Sequence, residues 1–326
     1  MSNRNAAALC AFIVLLAAPF AITSTFYIGI LTQVLIFAIF ALGLNVLVGY
    51  GGLVSLGHAG IFGMAAYAGA LMLDAGHGQL AAALAALLAV VATSAVYAVI
   101  SLRASGIAFI MITLALGQIL WGLAYRWASL TNGETGIAIS APLAPAGVPL
   151  ASASQLYFFV LIAFALCVAA AAIFANSNLG ISLVGARDQP RRMSALGYNV
   201  WMIRFLAYMF SGLLSGVAGF LFLFYNQFIG PQSLAITASA EVLLMVISGG
   251  AGTLIGPITG AVLVVIMKDV ASAYIERWNL MLGVIFVLIV IFMPEGFAPG
   301  LGRVWTWTLG LLRVRRAAPD SLLERR

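Results

Sequence analysis

Few side chains in this sequence have the chemistry that catalysis needs, and they are scattered. His58 and Glu241 have no nucleophile, base and orienting group near them in sequence. The metal-binding spacing H-E-x-x-H and the phosphate-loop pattern G-x-x-x-x-G-K-[ST] are both absent, and the single lysine, Lys268, is followed by Asp269. An enzyme with its own hydrolytic or ATPase site is therefore disfavoured.

The apolar sequence around His58 and Glu241 makes them candidates for another role. Ionisable groups inside a bilayer cost free energy and are commonly functional. Glu241 is expected near the outer end of an apolar segment, either in a substrate path or as a carboxylate that stabilises a helix start. His58 is expected either beside such a path or as the donor of one hydrogen bond across a helical hairpin. The residues alone leave both alternatives open.

The composition is that of a membrane protein. The 326 residues are 64% hydrophobic and 7% charged, with a mean hydropathy of +1.14, whereas soluble domains carry about 25% charged residues. A span needs about 20 apolar residues, and the predicted fold is an all-α polytopic membrane protein with about ten spans. The candidates are 6–22, 27–48, 59–74, 79–102, 105–126, 155–175, 205–228, 238–250, 254–272 and 279–293. A cleaved signal peptide is the alternative for the first candidate, but a clean A-x-A site is missing at its end, which favours a span.

Positive charges are distributed unevenly between the loops that join these spans. With the N-terminus inside, twelve of the fifteen Lys and Arg residues fall on the cytoplasmic side, and only Arg126, Lys268 and Arg277 do not. This bias predicts that both termini are cytoplasmic and that the basic residues contact anionic lipid headgroups. The net charge of +6 is thereby accounted for without a nucleic-acid site.

The stretch Gly49–Met72, GYGGLVSLGHAGIFGMAAYAGALM, interrupts two apolar runs with seven glycines. Irregular backbone is tolerated in a bilayer only where protein or a water-filled cavity satisfies its polar groups. The stretch is therefore either a broken element beside a translocation path or an interfacial loop before a closely packed helix. The first alternative places the following residues near the path: Asn45, Ser55, Gly57, His58 and Gly60.

A second glycine-rich stretch, SGGAGTLIGPITG at 248–260, joins the eighth and ninth spans. Like the first stretch, it lies between apolar runs and leads into a helix with small residues. Paired interruptions at corresponding positions point to a central transport site. This comparison adds Gly250 to the candidate path residues, which also include Glu241 as an ionisable group within a predicted span. Because both hairpins approach from the same side, the repeat would be parallel.

The longest inner connection, 176–204, contains the run ARDQPRR. Asp188 and Pro190 predict a short helix in it, with Asp188 as N-cap and Pro190 in the first turn, that ends near Gly197. Topology alone leaves open whether this helix is a linker or a docking element.

Four segments resemble the ABC-importer permeases for branched-chain amino acids, the LivM/LivH type. They are GLNVLVGYGGLVSLGHAGIFGMAAYAGAL (43–71), TLALGQILWGLAYRWASLTNGETGI (113–137), ARDQPRRMSALGYNVWMIRFLAYMFSGLLSGVAG (186–219) and EVLLMVISGGAGTLIGPITGAVL (241–263). The four are collinear over most of the chain and are specific in combination. The TNGETG segment is similar to a TGG-D-G pattern that is more typical of the LivM branch.

The resemblance implies a single permease domain at 1–300, followed by a basic cytoplasmic tail at 301–326, in the bacterial inner membrane. The implied partners are a second, LivH-like permease, two cytoplasmic ATPases and a periplasmic substrate-binding protein. ATP would be used by the ATPases, and this chain would bind no cofactor or metal.

The resemblance also implies that 176–204 is the segment that seats on an ATPase. Ala195 and Gly197 are its nearest match to the importer coupling motif, whose usual glutamate is replaced here. The residues expected at this contact are Arg187, Asp188, Arg191, Arg192, Ala195 and Gly197.

The substrate class stays open, because related permeases are associated with urea and short amides, aromatic acids or ribose-type sugars. Selectivity in such systems resides largely in the binding protein. A stand-alone carrier or channel for a small neutral solute is the alternative from a different class. The collinear motifs and the arginine-rich inner segment argue against it.

Overall fold

The computed structural model describes residues 24–139, 150 and 152–274, together with the single residues 15, 16, 19, 280, 283, 284 and 287. The regular secondary structure there is helical apart from two very short strands, β1 (Ile137–Ala138) and β2 (Phe228–Ile229), which pair antiparallel. The helices are α1 (Thr25–Asn45), α2 (His58–Asp74), α3 (Gln79–Ser101), α4 (Ile107–Arg126), α5 (Ala128–Thr131), α6 (Ala153–Asn176), α7 (Asn178–Asp188), α8 (Pro190–Ala195), α9 (Val200–Asn226), α10 (Ile236–Gly249) and α11 (Ile255–Tyr274).

Five of these helical segments are long and apolar enough to cross a membrane: α1 with its continuation to Tyr50, α3, α4, α6 and α9. They match five of the predicted spans, while α2, α10 and α11 lie at the predicted third, eighth and ninth spans. The predicted spans 6–22 and 279–293 lie outside the continuously described residues. The all-α membrane class is thus confirmed, and the count of ten spans and the side of the termini stay predictions.

α1 is the central helix of the bundle. Its most apolar window is 78% buried inside the protein, against 28% for α3 and 22% for α4. A helix that is apolar on all sides belongs in the interior of a large bundle, and α1 packs against α6, α9, α10 and α11. α2 and α9 complete the interior, since α2 packs against both α3 and α9.

Small residues allow these interior helices to approach closely. A Cβ added to Gly43 of α1 would lie 2.8 Å from Ser215 Oγ and 2.9 Å from the Ser211 carbonyl oxygen of α9. A Cβ added to Gly60 of α2 would lie 2.7 Å from the Tyr97 hydroxyl of α3. Glycine and serine at such crossings are typical of helix packing in bilayers, where van der Waals contact and interhelical hydrogen bonds drive association.

The outer helices leave apolar side chains uncovered. Leu88 of α3, Ile119 of α4 and Leu166 of α6 are 69%, 58% and 66% exposed. Continuous apolar faces of this kind are unusual on monomeric soluble proteins and are expected where helices face lipid.

Candidate functional site at two glycine breaks

The first of the two predicted interruptions is a true break in the helix, Val46–Gly57. α1 passes into a π-helical turn at Val46–Tyr50, and the chain has no helical structure again until α2 begins at His58. Gly52 adopts φ +65°, a left-handed conformation that glycine adopts without steric cost. π-helical turns are frequent at functional sites, so this break is well placed to be one.

The second break, Gly250–Leu254, separates α10 from α11. Gly250 has φ +112° and Gly252 φ +84°, so residues with a Cβ would be strained at both positions. The Thr253 hydroxyl caps the following helix, because it accepts a hydrogen bond from the Gly256 amide at 2.9 Å. The glycine-rich run thus reverses the chain within five residues.

Asn45 joins the two breaks. Its Nδ2 donates to the Thr253 carbonyl oxygen at 2.9 Å, and its Oδ1 accepts from the Gly252 amide at 2.9 Å. The side chain is 1% exposed. Gly49 packs so closely against Gly252 that an added Cβ would lie 2.7 Å from the Gly252 Cα. The two stretches that the sequence pairs by pattern therefore meet in space, although about 207 residues separate them.

His58 forms a buried hydrogen-bond chain at the first turn of α2. Nδ1 lies 2.8 Å from Ser55 Oγ and Nε2 lies 2.8 Å from Ser211 Oγ. The Ser211 hydroxyl donates its only proton to the Gly43 carbonyl oxygen at 2.5 Å. In the neutral ring, Nε2 therefore carries the proton and donates to Ser211, while Nδ1 accepts from Ser55. His58 makes two hydrogen bonds rather than the single one expected across a hairpin.

Hydroxyl groups from other helices accept hydrogen bonds from two backbone amides, one at the end of the first break and one in the first turn of α2. Ser239 Oγ of α10 accepts from the Ala59 amide at 3.1 Å, and Thr113 Oγ1 of α4 accepts from the Leu56 amide at 3.2 Å. Both side chains are buried. Protein hydroxyl groups thus supply part of the hydrogen bonding that irregular backbone needs where water is excluded.

The candidate path residues fall into two groups. Asn45, Ser55, Gly57, His58 and Gly60 lie in or beside the first break, and Gly250 belongs to the second break, which the Asn45 side chain joins to the first.

Glu241 belongs to neither break and lies within α10. Both of its carboxylate oxygens are 3.1 Å from Lys268 Nζ of α11. It is the sixth residue of α10, and the first turn of that helix contains no acid. The interpretation of Glu241 as a carboxylate at a helix start is therefore wrong.

Several residues of the site have no strong signal in the sequence. Ser211, Ser239 and Thr113 stand singly within apolar helices, where hydroxyl residues are common packing elements. The run SGLLSGVAG at 211–219 is the one usable hint, because its small residues recur on one face of α9 and indicate a close helix crossing.

The inner connection 176–204 contains two helices, α7 and α8, rather than one. Asp188 is the last residue of α7, and Gln189 is the N-cap of α8, so the prediction that Asp188 caps the short helix is wrong. The carboxylate instead accepts from Arg187 Nε at 2.8 Å. Pro190 is the first residue of α8, and the helix ends at Ala195 before Gly197 at φ +88°, as predicted.

The short helix of the inner connection presents its charged residues to solvent. α8 has no buried residue, and Arg191, Arg192, Ala195 and Gly197 are exposed. Arg187 is different, since its Nη1 reaches the Gly49 carbonyl oxygen of the first break at 2.7 Å. Its contact places the inner connection and the first break at the same end of the bundle.

Among the described residues, no group of three or more His, Cys, Asp or Glu side chains is arranged to hold a metal ion. The chemistry that this site offers is hydrogen bonding by hydroxyl, amide and backbone groups between segments that cannot be regular helix.

The family described as branched-chain amino acid transport system, permease component, matches residues 26–293. Two relatives are called high-affinity branched-chain amino acid transport system permease protein LivM, one from Salmonella typhimurium and one from Escherichia coli. Each is 29% identical, and the similarity covers 83% of this chain and 70% of the relative. No solved structure shows significant similarity to the chain. The matched region includes both breaks, the His58 hydrogen-bond chain and the inner connection. The chain therefore belongs to the family of branched-chain amino acid transport permease components.

Proposed function

We propose that this chain is the membrane permease subunit of an ATP-driven importer that translocates branched-chain amino acids. The observation that carries this proposal is the family match over residues 26–293, which contains the whole of the two-break arrangement. The similarity of LivM proteins over 83% of the chain supports the same substrate class.

The proposed partners follow from such an importer. A second, LivH-like permease completes the membrane part, two cytoplasmic ATPases bind and hydrolyse ATP, and a periplasmic binding protein delivers the substrate. This chain contributes no ATPase site, because the phosphate-loop pattern is absent from its sequence. Exposed apolar faces on α3, α4 and α6 are available to lipid and to the second permease.

We place the protein in the bacterial inner membrane with both termini in the cytoplasm. The bias of twelve basic residues against three supports this orientation. The Arg187–Gly49 contact agrees with the predicted order of spans, which puts the inner connection and the first break on the same side of the membrane.

The substrate path in this proposal runs along the junction of the two breaks. Its residues are Asn45, Ser55, Gly57, His58, Gly60, Gly250 and, at a separate position, Glu241. Asn45, Ser55 and His58 are buried and bonded to protein groups, so the described conformation is closed at this point. The path opens when the two breaks move apart, which exposes their amide and hydroxyl groups to a polar substrate.

Glu241 and Lys268 suit the two ends of a zwitterion. The carboxylate attracts an α-ammonium group, and the lysine attracts an α-carboxylate. Their side chains are 18% and 31% exposed, which leaves part of each accessible from outside the α10–α11 contact. A charged pair within a membrane bundle is costly to keep without a role.

The inner connection is proposed as the docking segment for an ATPase. α8 is a short helix with every residue outside the buried core, and it carries Arg191 and Arg192 on a surface that no other part of the described chain covers. Exposed arginines at an interface recognise carboxylates on a partner through paired hydrogen bonds.

Competition in vesicles tests the substrate class. Vesicles that contain this chain with its neighbouring transporter subunits are expected to accumulate radiolabelled leucine, and unlabelled valine and isoleucine should compete. Urea, benzoate and ribose should not compete. Uptake of one of these three solutes in place of leucine would retain the permease and overturn the branched-chain assignment.

A further inference from the structure

Arg187 connects the inner segment to the first break through two neighbouring contacts. Nη1 donates to the Gly49 carbonyl oxygen at 2.7 Å. The aliphatic part of the same side chain lies against Gly52, where an added Cβ would come within 2.6 Å of Arg187 Cγ. Gly52 has φ +65°, so both its conformation and the space beside it require glycine. The arginine therefore fits a site shaped by the break.

The Gly49 carbonyl is a suitable acceptor because it lies where the helical hydrogen bonds end. In this turn the Gly51 amide donates to Val46 O and the Leu53 amide to Leu47 O. Carbonyl groups in the last turn of a helix have no partner further along the helix, and they carry the negative end of the helix dipole. A guanidinium group satisfies both the hydrogen bond and the charge.

Gly49 in turn contacts the second break. It packs against Gly252, and the Asn45 side chain, one turn earlier, bonds Gly252 N and Thr253 O. Successive contacts therefore run from the last turn of α7 through Gly49 and Asn45 to the hairpin between α10 and α11. Asp188 holds the Arg187 guanidinium from its other side, through Nε at 2.8 Å.

We propose that Arg187 is a positioning residue that ties movements of the α7–α8 segment to both glycine breaks at once. The inference rests on the proposed function, in which an ATPase moves that segment. When α7 shifts, Arg187 displaces Gly49, and the Asn45 hydrogen bonds carry the displacement to Gly252. Lysine cannot substitute fully, because it lacks the planar group that binds a carboxylate and a carbonyl in fixed directions.

The effect on coupling is measured as leucine transported per ATP hydrolysed in the complete reconstituted importer. Arg187→Gln is expected to lower this ratio by about fivefold or more, the lower range of coupling between distant sites. Arg187→Lys is expected to lower it by a smaller factor. Arg103→Gln is the matched control, since Arg103 is exposed in the turn between α3 and α4, and its ratio should equal that of the wild type.

A double variant tests whether Arg187 and Asn45 are successive steps of the same series of contacts. If they do, Arg187→Gln combined with Asn45→Ala lowers the ratio no further than the more severe single variant. Independent contributions would instead multiply, and that result would overturn the series.

Hydrogen exchange provides a readout that does not depend on transport. In the full-length subunit, the amide of Gly252, which donates to Asn45 Oδ1, should exchange about two- to tenfold faster in Arg187→Gln, the factor expected when one hydrogen bond is weakened. Unchanged exchange at Gly252 would overturn the inference even if the importer transports leucine. A different result would be that the wild-type importer does not transport leucine while Gly252 still exchanges faster in the variant. That result would overturn the substrate assignment but support the connection from Arg187 to Gly252.

Discussion

At the scale of single residues, the site is built from polar groups whose partners lie on other helices. His58 and Asn45 each join segments far apart in sequence, and the Glu241–Lys268 pair joins the consecutive helices α10 and α11. Inside a bilayer bundle, removing one member of such a pair leaves the other without a partner and without water to replace it. Substitutions at these groups are therefore expected to destabilise the folded subunit.

His58→Ala should destabilise the subunit by about 2–4 kcal/mol, because it leaves a cavity and removes the partner of Ser55 and Ser211. His77→Ala is the matched control, since His77 is exposed after α2, and its effect should stay within about 0.5 kcal/mol. Unfolding in a graded mixture of mild and denaturing detergent measures both. Equal effects of the two substitutions would contradict the described burial of His58.

The Glu241–Lys268 pair predicts non-additive effects. Lys268→Met or Glu241→Gln alone should cost about 1–3 kcal/mol, because each leaves a partly buried charge, while the double variant should cost less than the worse single one. Asp188→Asn, at the exposed Arg187–Asp188 pair, should cost under about 1 kcal/mol. The same unfolding measurement applies, and additive losses at 241 and 268 would mean that the two side chains do not act as a pair.

At the level of helices, the two breaks and the short inner helix α8 distinguish this protein from a bundle of continuous membrane helices. The sequence predicts both breaks, because clusters of glycine between apolar runs disfavour a continuous helix. It also predicts the short helix from Pro190 to near Gly197. It misplaces the N-cap by one residue, since Asp188 and Gln189 both precede the proline and the pattern of residue types does not show that α7 extends to Asp188.

Gly49→Ala should abolish most uptake, because a Cβ there has no room beside Gly252 and Asn45. Gly122→Ala is the control: Gly122 lies within α4, and an added Cβ would meet nothing within 4 Å. That change should be neutral or stabilising by up to about 1 kcal/mol. Uptake is compared at equal amounts of folded complex. Wild-type uptake by the Gly49 variant would show that the breaks do not need their close contact.

Charge reversal on α8 tests docking. Arg191→Glu with Arg192→Glu should reduce recovery of the ATPases with the tagged permease, while the thermal stability of the subunit changes little because both side chains are exposed. Arg103→Glu, at a different exposed inner turn, should leave recovery unchanged. Undiminished recovery in the double variant would remove Arg191 and Arg192 from the docking surface.

At the scale of the whole molecule, the α-helical membrane class follows from composition, and five of the predicted spans are found as long apolar helices. What sequence reasoning could not provide is which helices meet. The contact of Asn45 with Gly252 and of His58 with Ser211 depends on the packing of α1, α2, α9 and α10, and no local pattern encodes it. The sequence did predict that the two glycine stretches correspond to each other, and these two stretches are in contact in the structure.

The most direct measurement is leucine uptake into vesicles that contain this chain with its partner subunits, with ATP and without it. Leucine should accumulate only when the ATPases, ATP and the binding protein are all present. Equal uptake by the chain alone, without ATP, would contradict the importer assignment and establish a stand-alone carrier or channel.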